Sequence, residues 1–246
     1  MYQKNKDKYI IDLFCGCGGF AEGFERSGYQ SYLSADFDYW ACETFKSRFK
    51  KSKVINEDIT SDKFKAILKK QTKGVKIEGV VAGLPCQSFS SVGRAQDKFS
   101  MAKDKRNYFY KDFFECLKII KPNFFVFENV RGILSAKPNG VKIFDNILEL
   151  SKKLGYVTLD DTSKMVFDTS EYGVPQTRKR VFVIGVKKKY SKLIPKIYED
   201  LINVQKDKNK YTVKDAISDL PSLKPGEGTD KVKLIKKTKN SYLKKI

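Results

Sequence analysis

Short apolar runs alternate with amphipathic stretches along the first 186 residues, in the order expected of strands followed by helices. Apolar runs without polar alternation are typical of strands buried on both faces, as in parallel sheets. Apolar residues spaced three and four apart predict the helices between them. The predicted strands are Tyr9–Phe14, Tyr29–Ala35, Lys53–Ile55, Gly79–Ala82, Phe124–Phe127 and Arg180–Val186, and the predicted helices are Phe20–Ser27, Ala41–Phe49, Asp62–Lys70, Tyr108–Ile120 and Val141–Leu154.

Repeated strand–helix–strand units with short connections predict an α/β fold with a doubly wound, mostly parallel sheet. Ligands of such sheets bind outside the carboxyl ends of the strands, so residues that directly follow a strand are the first candidates for chemistry. The polar, glycine-containing stretch from Pro85 to Arg106 is long for a connection inside a compact domain. Loops of this length are usually functional or disordered.

The net charge of the chain indicates which class of partner it binds. The 246 residues include 49 Lys and Arg against 29 Asp and Glu, a formal charge of +20. Such a surplus favours a polyanionic partner, with nucleic acid ahead of an anionic membrane surface. Half of it lies in residues 187–246, which hold 17 lysines and seven acidic residues. We therefore expect a catalytic domain over 1–186 and a lysine-rich extension over 187–246.

The chain has no histidine, which excludes a Ser-His-Asp triad, a Cys-His pair and imidazole metal ligands. We accordingly expect no metal. The five cysteines include no CxxC pair. The start, MYQKNKDKYI, is charged and unlike a signal peptide, and no apolar run is long enough to span a bilayer. These features predict reduced thiols in a cytoplasmic protein without a membrane partner.

A glycine-rich turn follows the first predicted strand. Gly16, Gly18 and Ala21 fit the G-x-G-x-x-G/A spacing of a nucleotide-binding turn, and a helix beginning near Gly19 offers unpaired N–H groups to a negative group. Asp36 ends the second strand, where a carboxylate can bind both hydroxyls of a ribose. Ligand binding is favoured over a purely structural turn, although an NAD site would fit these residues equally well.

Single candidates follow the next three strands. Asp58 could accept from an adenine amino group while Ile59 packs on the ring, but an N-cap or turn role is common for such a residue. Cys86, after Pro85, is well placed as a nucleophile, whereas a buried structural cysteine is the alternative. Glu128 is delivered to the same sheet edge, where partial desolvation would raise its pKa and let it carry a proton. The alternative role for Glu128 is to cap the next helix or to form an ion pair with an arginine.

The last predicted strand begins beside two arginines. Arg178 and Arg180 are two positions apart and are expected on one face of that strand. Arginine donates in a fixed fork that suits phosphate, carboxylate or a carbonyl edge. At least one of the two is expected to form a structural ion pair.

In this order and spacing, DLFCGCGGF, Asp36, Asp58, GLPCQSFS, FENV and QTRKR closely resemble the DNA (cytosine-5) methyltransferases, from about Tyr9 to about Gly185. The resemblance implies a Rossmann-like fold, S-adenosyl-L-methionine as methyl donor, S-adenosyl-L-homocysteine as product, and double-stranded DNA as substrate in a restriction-modification system. Family members often have Glu and Trp where this chain has Asp36 and Phe37. The resemblance assigns cofactor binding to ten residues: Phe14, Gly16, Cys17, Gly18, Gly19, Asp36, Phe37, Asp58, Ile59 and Pro85.

The resemblance also implies a mechanism. A cytosine is flipped out of the duplex, the Cys86 thiolate adds to carbon 6, and Glu128 holds ring nitrogen 3 and the exocyclic amine. Arg178 contacts the base carbonyl, Arg180 supports the site, and water is the base that removes the carbon-5 proton. DNA contacts are implied for Gln87, Ser88, Ser90 and Arg94.

Family members usually continue into a target-recognition domain and a closing motif, whereas this sequence stops at Ile246. We therefore expect either the larger subunit of a split enzyme or a truncated product. We favour the split enzyme, whose second polypeptide supplies DNA recognition and the closing segment. Three alternatives remain: an RNA (tRNA) cytosine-5 methyltransferase, although those tend to carry Thr at the position of Ser90; a donor-binding or DNA-binding subunit that is inactive alone; and, from the glycine turn only, an NAD-dependent dehydrogenase.

Overall fold

The computed structural model describes residues 8–85, 104–204, 210–229 and Tyr242. Strands and helices alternate through most of these ranges. The strands are β1 (Lys8–Leu13), β2 (Tyr29–Asp36), β3 (Lys53–Asn56), β4 (Ile77–Gly83), β5 (Phe124–Val130), β6 (Tyr156–Thr158), β7 (Val166–Asp168) and β8 (Lys179–Lys187). The α-helices are α1 (Gly19–Arg26), α2 (Tyr39–Arg48), α3 (Asp62–Thr72), α4 (Phe109–Ile120), α5 (Ile143–Lys153), α6 (Leu193–Asn203) and α7 (Val213–Ile217).

The strand order is β3-β2-β1-β4-β5-β8-β6, and the first five of these strands are parallel to one another. Their carboxyl ends are in register. Leu13 at the end of β1 lies between Ala35 of β2 and Ala82 of β4, and Gly83 at the end of β4 pairs with Glu128 of β5. The predicted mostly parallel sheet is confirmed, and its register gathers the residues that follow β1, β2, β4 and β5 at one edge.

Helices cover both faces of the sheet, as the adjacent aromatic residues of β5 show. Side chains alternate between the two faces of a strand. Phe124 stacks on Phe24 of α1, with ring centroids 6.0 Å apart. Phe125 is fully buried on the opposite face, where it packs edge-on against Phe113 of α4 at 5.8 Å. The sheet is therefore doubly wound.

Strand β8 runs antiparallel between β5 and the short strand β6. The apolar run of β8 predicts a buried strand but not its direction, which depends on the path of the chain before it. Here α5 and β6 intervene between β5 and β8. Gly185 fits this central position because a Cβ there would collide with the ring of Phe125 on β5.

The chain divides into two compact units. The first comprises Met1–Val166 and Arg180–Ile202, and the second comprises Phe167–Lys179 and Asn203–Ile246. In the second unit, Asp168 caps a 3₁₀ turn through the Ser170 N–H at 3.1 Å. None of the helices in the described ranges is long and apolar enough to cross a membrane.

Helix α6 lies within the segment 187–246, the lysine-rich extension expected from the sequence. Its Tyr198 is fully buried, and the hydroxyl accepts from the Ile184 N–H at 3.0 Å and donates to the Phe182 carbonyl at 2.9 Å. These bonds pair two backbone groups of β8 with a side chain and fasten α6 to the sheet.

Candidate active site

The loop after β1 has a backbone conformation suited to close contact with a ligand. We call Phe14–Gly18 the glycine turn. Phe14, Gly16 and Gly18 have φ angles of 54°, 52° and 95°, in the left-handed region that non-glycine residues rarely adopt. The turn is held by the Cys15 N–H, which donates to the Ala35 carbonyl at 3.1 Å, and by the Gly18 N–H, which donates to the Cys15 carbonyl at 2.9 Å. The Phe14 ring stacks on Phe109 at 5.7 Å.

Helix α1 begins at Gly19, directly after the turn, with Gly18 as its N-cap. The first backbone N–H groups of a helix have no intrahelical acceptor, and the helix dipole favours negative charge there. The N-terminus of α1 therefore presents backbone donors to an anionic group beside the glycine turn. Cys17 is exposed in this turn.

Gly18 also lies against the core. A Cβ at this position would collide with the ring of Phe49 and approach Phe45 at 3.0 Å. We expect Gly18→Ala to destabilise the fold by about 1–3 kcal/mol through backbone strain alone. We also expect at least tenfold weaker binding of S-adenosylmethionine, the cofactor that the sequence resemblance implies, because the turn must shift.

Gly23→Ala is the matched control for this change. Gly23 lies inside α1, where an added Cβ would meet no atom within 4 Å, and its φ is not positive. This variant should gain about 0.5–1 kcal/mol because alanine favours the helix. Thermal unfolding measures the stability of both variants, and titration calorimetry measures their affinity for the cofactor. Equal changes in the two variants would contradict a specific role of Gly18.

Asp36 lies at the end of β2 with 9% of its surface exposed. One carboxylate oxygen accepts from the Gly16 N–H at 2.9 Å, and the other accepts from the Asp38 N–H at 3.0 Å. Each oxygen retains a further lone pair. Asp36 thus fixes the glycine turn and can still accept from two hydroxyls of a ribose. The first of these functions is not evident in the sequence.

Asp12 is a functional candidate that the sequence reasoning missed. It lies on β1 just before the glycine turn, its side chain is fully buried, and neither carboxyl oxygen has a hydrogen-bond partner among the described residues. Burial raises the pKa of Asp12 to about 8. The nearby Ala21 backbone N–H, which does not meet hydrogen-bond geometry, opposes the rise, and the charge of Asp36 adds to it. The carboxyl group is therefore mostly protonated and neutral near pH 7.

Three predicted adenine contacts follow β2 and β3. Phe37 presents its ring to solvent, with 73% of its surface exposed. Asp58 is exposed, and one of its oxygens accepts from the backbone N–H and the hydroxyl of Thr60, both at 2.9 Å. This is the turn role weighed for Asp58, and its second oxygen remains open to a ligand donor. Ile59 is buried, with 2% of its surface exposed.

Pro85 is the last residue described before the segment that contains the predicted nucleophile. The buried side chain of Asn129 on β5 donates to the carbonyl of Leu84 at 3.4 Å and accepts from the Val130 N–H at 2.8 Å. This contact fixes the end of β4 relative to β5 directly before Cys86. The predicted residues Cys86, Gln87, Ser88, Ser90 and Arg94 lie outside the described residues.

The predicted pair Glu128 and Arg180 is in direct contact. The Arg180 Nε lies 2.7 Å from Glu128 Oε1, and 19% of each side chain is exposed. Glu128 is on β5 and Arg180 on the antiparallel β8, whose register brings them together. The expected arginine ion pair is thus present, and the guanidinium holds the carboxylate at the sheet edge.

Arg178 differs from its prediction. It precedes β8, which begins at Lys179, so it does not share a strand face with Arg180. Its backbone N–H donates to the Asp168 carboxylate at 3.2 Å and its carbonyl accepts from the Thr169 N–H at 3.0 Å. The side chain is exposed.

The four described cysteines, Cys15, Cys17, Cys42 and Cys116, are free thiols. Burial raises the pKa of Cys15 far above its usual range, and the charges of Asp12 and Asp36 add to the rise. Within the described ranges no group of three Cys, Asp or Glu side chains could hold a metal ion.

The strand order, the glycine turn and the acidic residue at the end of β2 define an α/β protein that can hold an adenosine-type cofactor at the carboxyl edge of its sheet. A family model, the C-5 cytosine-specific DNA methylase, matches residues 9–245. The chain belongs to this family, and its fold is that of the S-adenosylmethionine-dependent methyltransferases.

Individual relatives agree with this assignment. The chain is 39% identical over 222 residues to the type II methyltransferase M.DdeI of Desulfomicrobium norvegicum, covering 89% of this chain and 50% of the relative. It is 35% identical over 215 residues to M.NgoPII of Neisseria gonorrhoeae, covering 86% and 56%. The chain spans about half the length of the curated relatives it matches.

Solved structures give the same result. A proposed DNA modification methyltransferase encoded in an E. coli prophage superposes with a TM-score of 0.65 at 30% identity, covering 88% of this chain and 56% of that one. DNMT2 of Spodoptera frugiperda superposes with a TM-score of 0.55 at 20% identity, covering 74% of this chain and 50% of that one, and shares the fold.

Proposed function

We propose that this chain transfers a methyl group from S-adenosylmethionine to carbon 5 of cytosine in double-stranded DNA, within a restriction-modification system in the cytoplasm. The observation that carries the proposal is the alignment of the glycine turn, Asp36 and the Glu128–Arg180 pair along one sheet edge. Family membership and the type II methyltransferase relatives support the same reaction.

The described residues fit the cofactor. The left-handed glycine turn leaves room for close approach, and the N-terminus of α1 suits the carboxylate of a methionine moiety. Asp36 retains lone pairs for ribose hydroxyls, and the exposed Phe37 offers an aromatic face to adenine. S-adenosylmethionine supplies an electrophilic methyl group when bound. We propose that catalysis needs no metal.

The cytosine must be activated before it can accept a methyl group, because its carbon 5 is a weak nucleophile and is buried in the base stack of the duplex. Cys86 adds to carbon 6 of a flipped cytosine, which breaks aromaticity and makes carbon 5 enamine-like. Glu128 holds ring nitrogen 3 and the exocyclic amine, and Arg180 fixes the Glu128 carboxylate through their ion pair. Arg178 contacts the base carbonyl. Water removes the carbon-5 proton, after which Cys86 is expelled.

We further propose that DNA sequence recognition comes from a second polypeptide. Residues 87–94 contribute Gln87, Ser88, Ser90 and Arg94 to the catalytic segment, where they meet DNA. The lysine-rich extension 187–246 contacts phosphate or this partner.

The test has two stages. Titration calorimetry of the chain with S-adenosylmethionine and with NAD should show binding of S-adenosylmethionine only. Methyl transfer is then followed by bisulfite sequencing of duplex DNA, in parallel with tRNA, using the chain alone and with the product of the neighbouring gene. Cytosine-5 methylation of DNA is expected with the partner; methylation of tRNA alone contradicts the proposal, and sequence-specific activity without a partner contradicts the split arrangement.

A further inference from the structure

A cleft of about 570 Å³ lies at the amino ends of β1 and β2, opposite the edge that carries the glycine turn. We call it the amino-edge cleft, and its lining includes Lys8, Gln30, Arg48, Phe49, Lys50 and Lys51. The cleft opens at the far end of β1 from the glycine turn, and β1 spans about 20 Å at 3.3 Å per residue. Its lining residue Phe49 packs against Gly18 of that turn, so the cleft and the candidate active site share one side chain. The volume of the cleft lies within the range of small-molecule sites.

Positive charge dominates the amino-edge cleft. Four cationic side chains line it, against a single carboxylate, Glu25. Lys8, Lys50 and Lys51 form no ion pair with the described residues. Like charges around a concave surface repel each other and focus a positive potential within it, so an anion bound there relieves the repulsion.

Arg48 is already held in place. One of its terminal nitrogens donates to Glu22 at 2.7 Å, and its guanidinium lies 5.6 Å from the centre of the Phe49 ring. Phe49 itself has 5% of its surface exposed and forms an apolar floor. The remaining guanidinium donors are therefore preorganised, and the half-buried Gln30 amide adds neutral donors beside them.

We propose that the amino-edge cleft is a second anion site that binds phosphate groups, independent of the proposed methyl transfer. Two sources share this chemistry: the phosphodiester backbone of a nucleic acid and a free polyphosphate. Lysines also occur in the last turn of a helix and just after it simply because they offset the helix dipole. Lys69, Lys70 and Lys73 are in that position at the end of α3, exposed, and none of them lines the cleft.

These two sets of three lysines, one inside the cleft and one outside it, allow a matched comparison of two triple variants. Lys8→Gln, Lys50→Gln and Lys51→Gln together remove the three lysine charges from the cleft, while Lys69→Gln, Lys70→Gln and Lys73→Gln remove the same charge outside it. Inorganic tripolyphosphate is titrated by calorimetry, and a short DNA duplex is titrated by fluorescence anisotropy at several salt concentrations. The cleft variant should bind at least one of the two probes tenfold or more weakly than the wild type does. The control variant should bind both probes within twofold of the wild-type affinity.

The probe that distinguishes the variants identifies the source of the phosphate. If it is DNA, the salt dependence of log K should also flatten, by about 0.9 for each phosphate that the variant no longer neutralises. Equal weakening in both triple variants, or none in either, would overturn the proposal. S-adenosylmethionine affinity is measured on the same samples and should not change, so failure of the proposed cofactor function is seen separately.

Discussion

We expect replacement of Cys86 by alanine to abolish cytosine methylation, with a fall in rate of about 10⁴-fold or more, as for other enzymes that lose a covalent nucleophile. Without the thiolate, carbon 6 receives no electron pair and carbon 5 stays part of an aromatic ring. Bisulfite sequencing of treated DNA measures the loss. DNA that contains 5-fluorocytosine should form a covalent adduct with the wild type and none with the variant.

Cys116→Ala is the control for this experiment. Cys116 is buried on α4, and burial raises the pKa of its thiol to about 12, so it forms no thiolate near neutral pH. This variant should methylate DNA as the wild type does. The Cys86→Ala protein should still bind S-adenosylmethionine, which shows that it is folded. Undiminished methylation by Cys86→Ala would refute the covalent mechanism.

Much of the site could be predicted because the topology follows from local pattern. Buried apolar runs separated by amphipathic helices require a parallel sheet, and a parallel sheet places the residues after its strands at one edge. The register of Gly83 with Glu128 and of Leu13 with Ala35 is a consequence of that rule. Asp36 could therefore be placed beside the glycine turn from the sequence alone.

Features that depend on long-range packing could not be predicted. The direction of β8 depends on where α5 and β6 lead the chain. Helix α6 has apolar residues at helical spacing, including Ile194 and Tyr198, but the flanking lysines and Pro195 obscure the pattern. In the sequence Asp12 is one polar residue in an apolar strand, and only the packing around it reveals a buried carboxyl group without a partner among the described residues.

Asp12→Asn should make the protein more stable than the wild type at neutral pH. The pKa of Asp12 is raised from 3.8 to about 8 in the folded state, so the unfolded chain ionises in a pH range where the folded chain cannot. The contribution of Asp12 to wild-type stability therefore falls between about pH 4 and pH 8, by about 1.4 kcal/mol per pH unit, and levels off above that range. At pH 7 the accumulated loss is about 4 kcal/mol.

The Asp12→Asn variant lacks this pH-dependent loss of stability because a carboxamide does not titrate. Urea unfolding at pH 5, 6, 7 and 8 should show a stability difference between variant and wild type that grows steadily with pH. A constant difference would mean that Asp12 titrates normally in the folded state. Asp160→Asn, which removes an exposed carboxyl group, is measured in parallel as the control for the loss of one acidic side chain. A difference that grows with pH in this way would place the loss of stability in the buried carboxyl group beside the glycine turn.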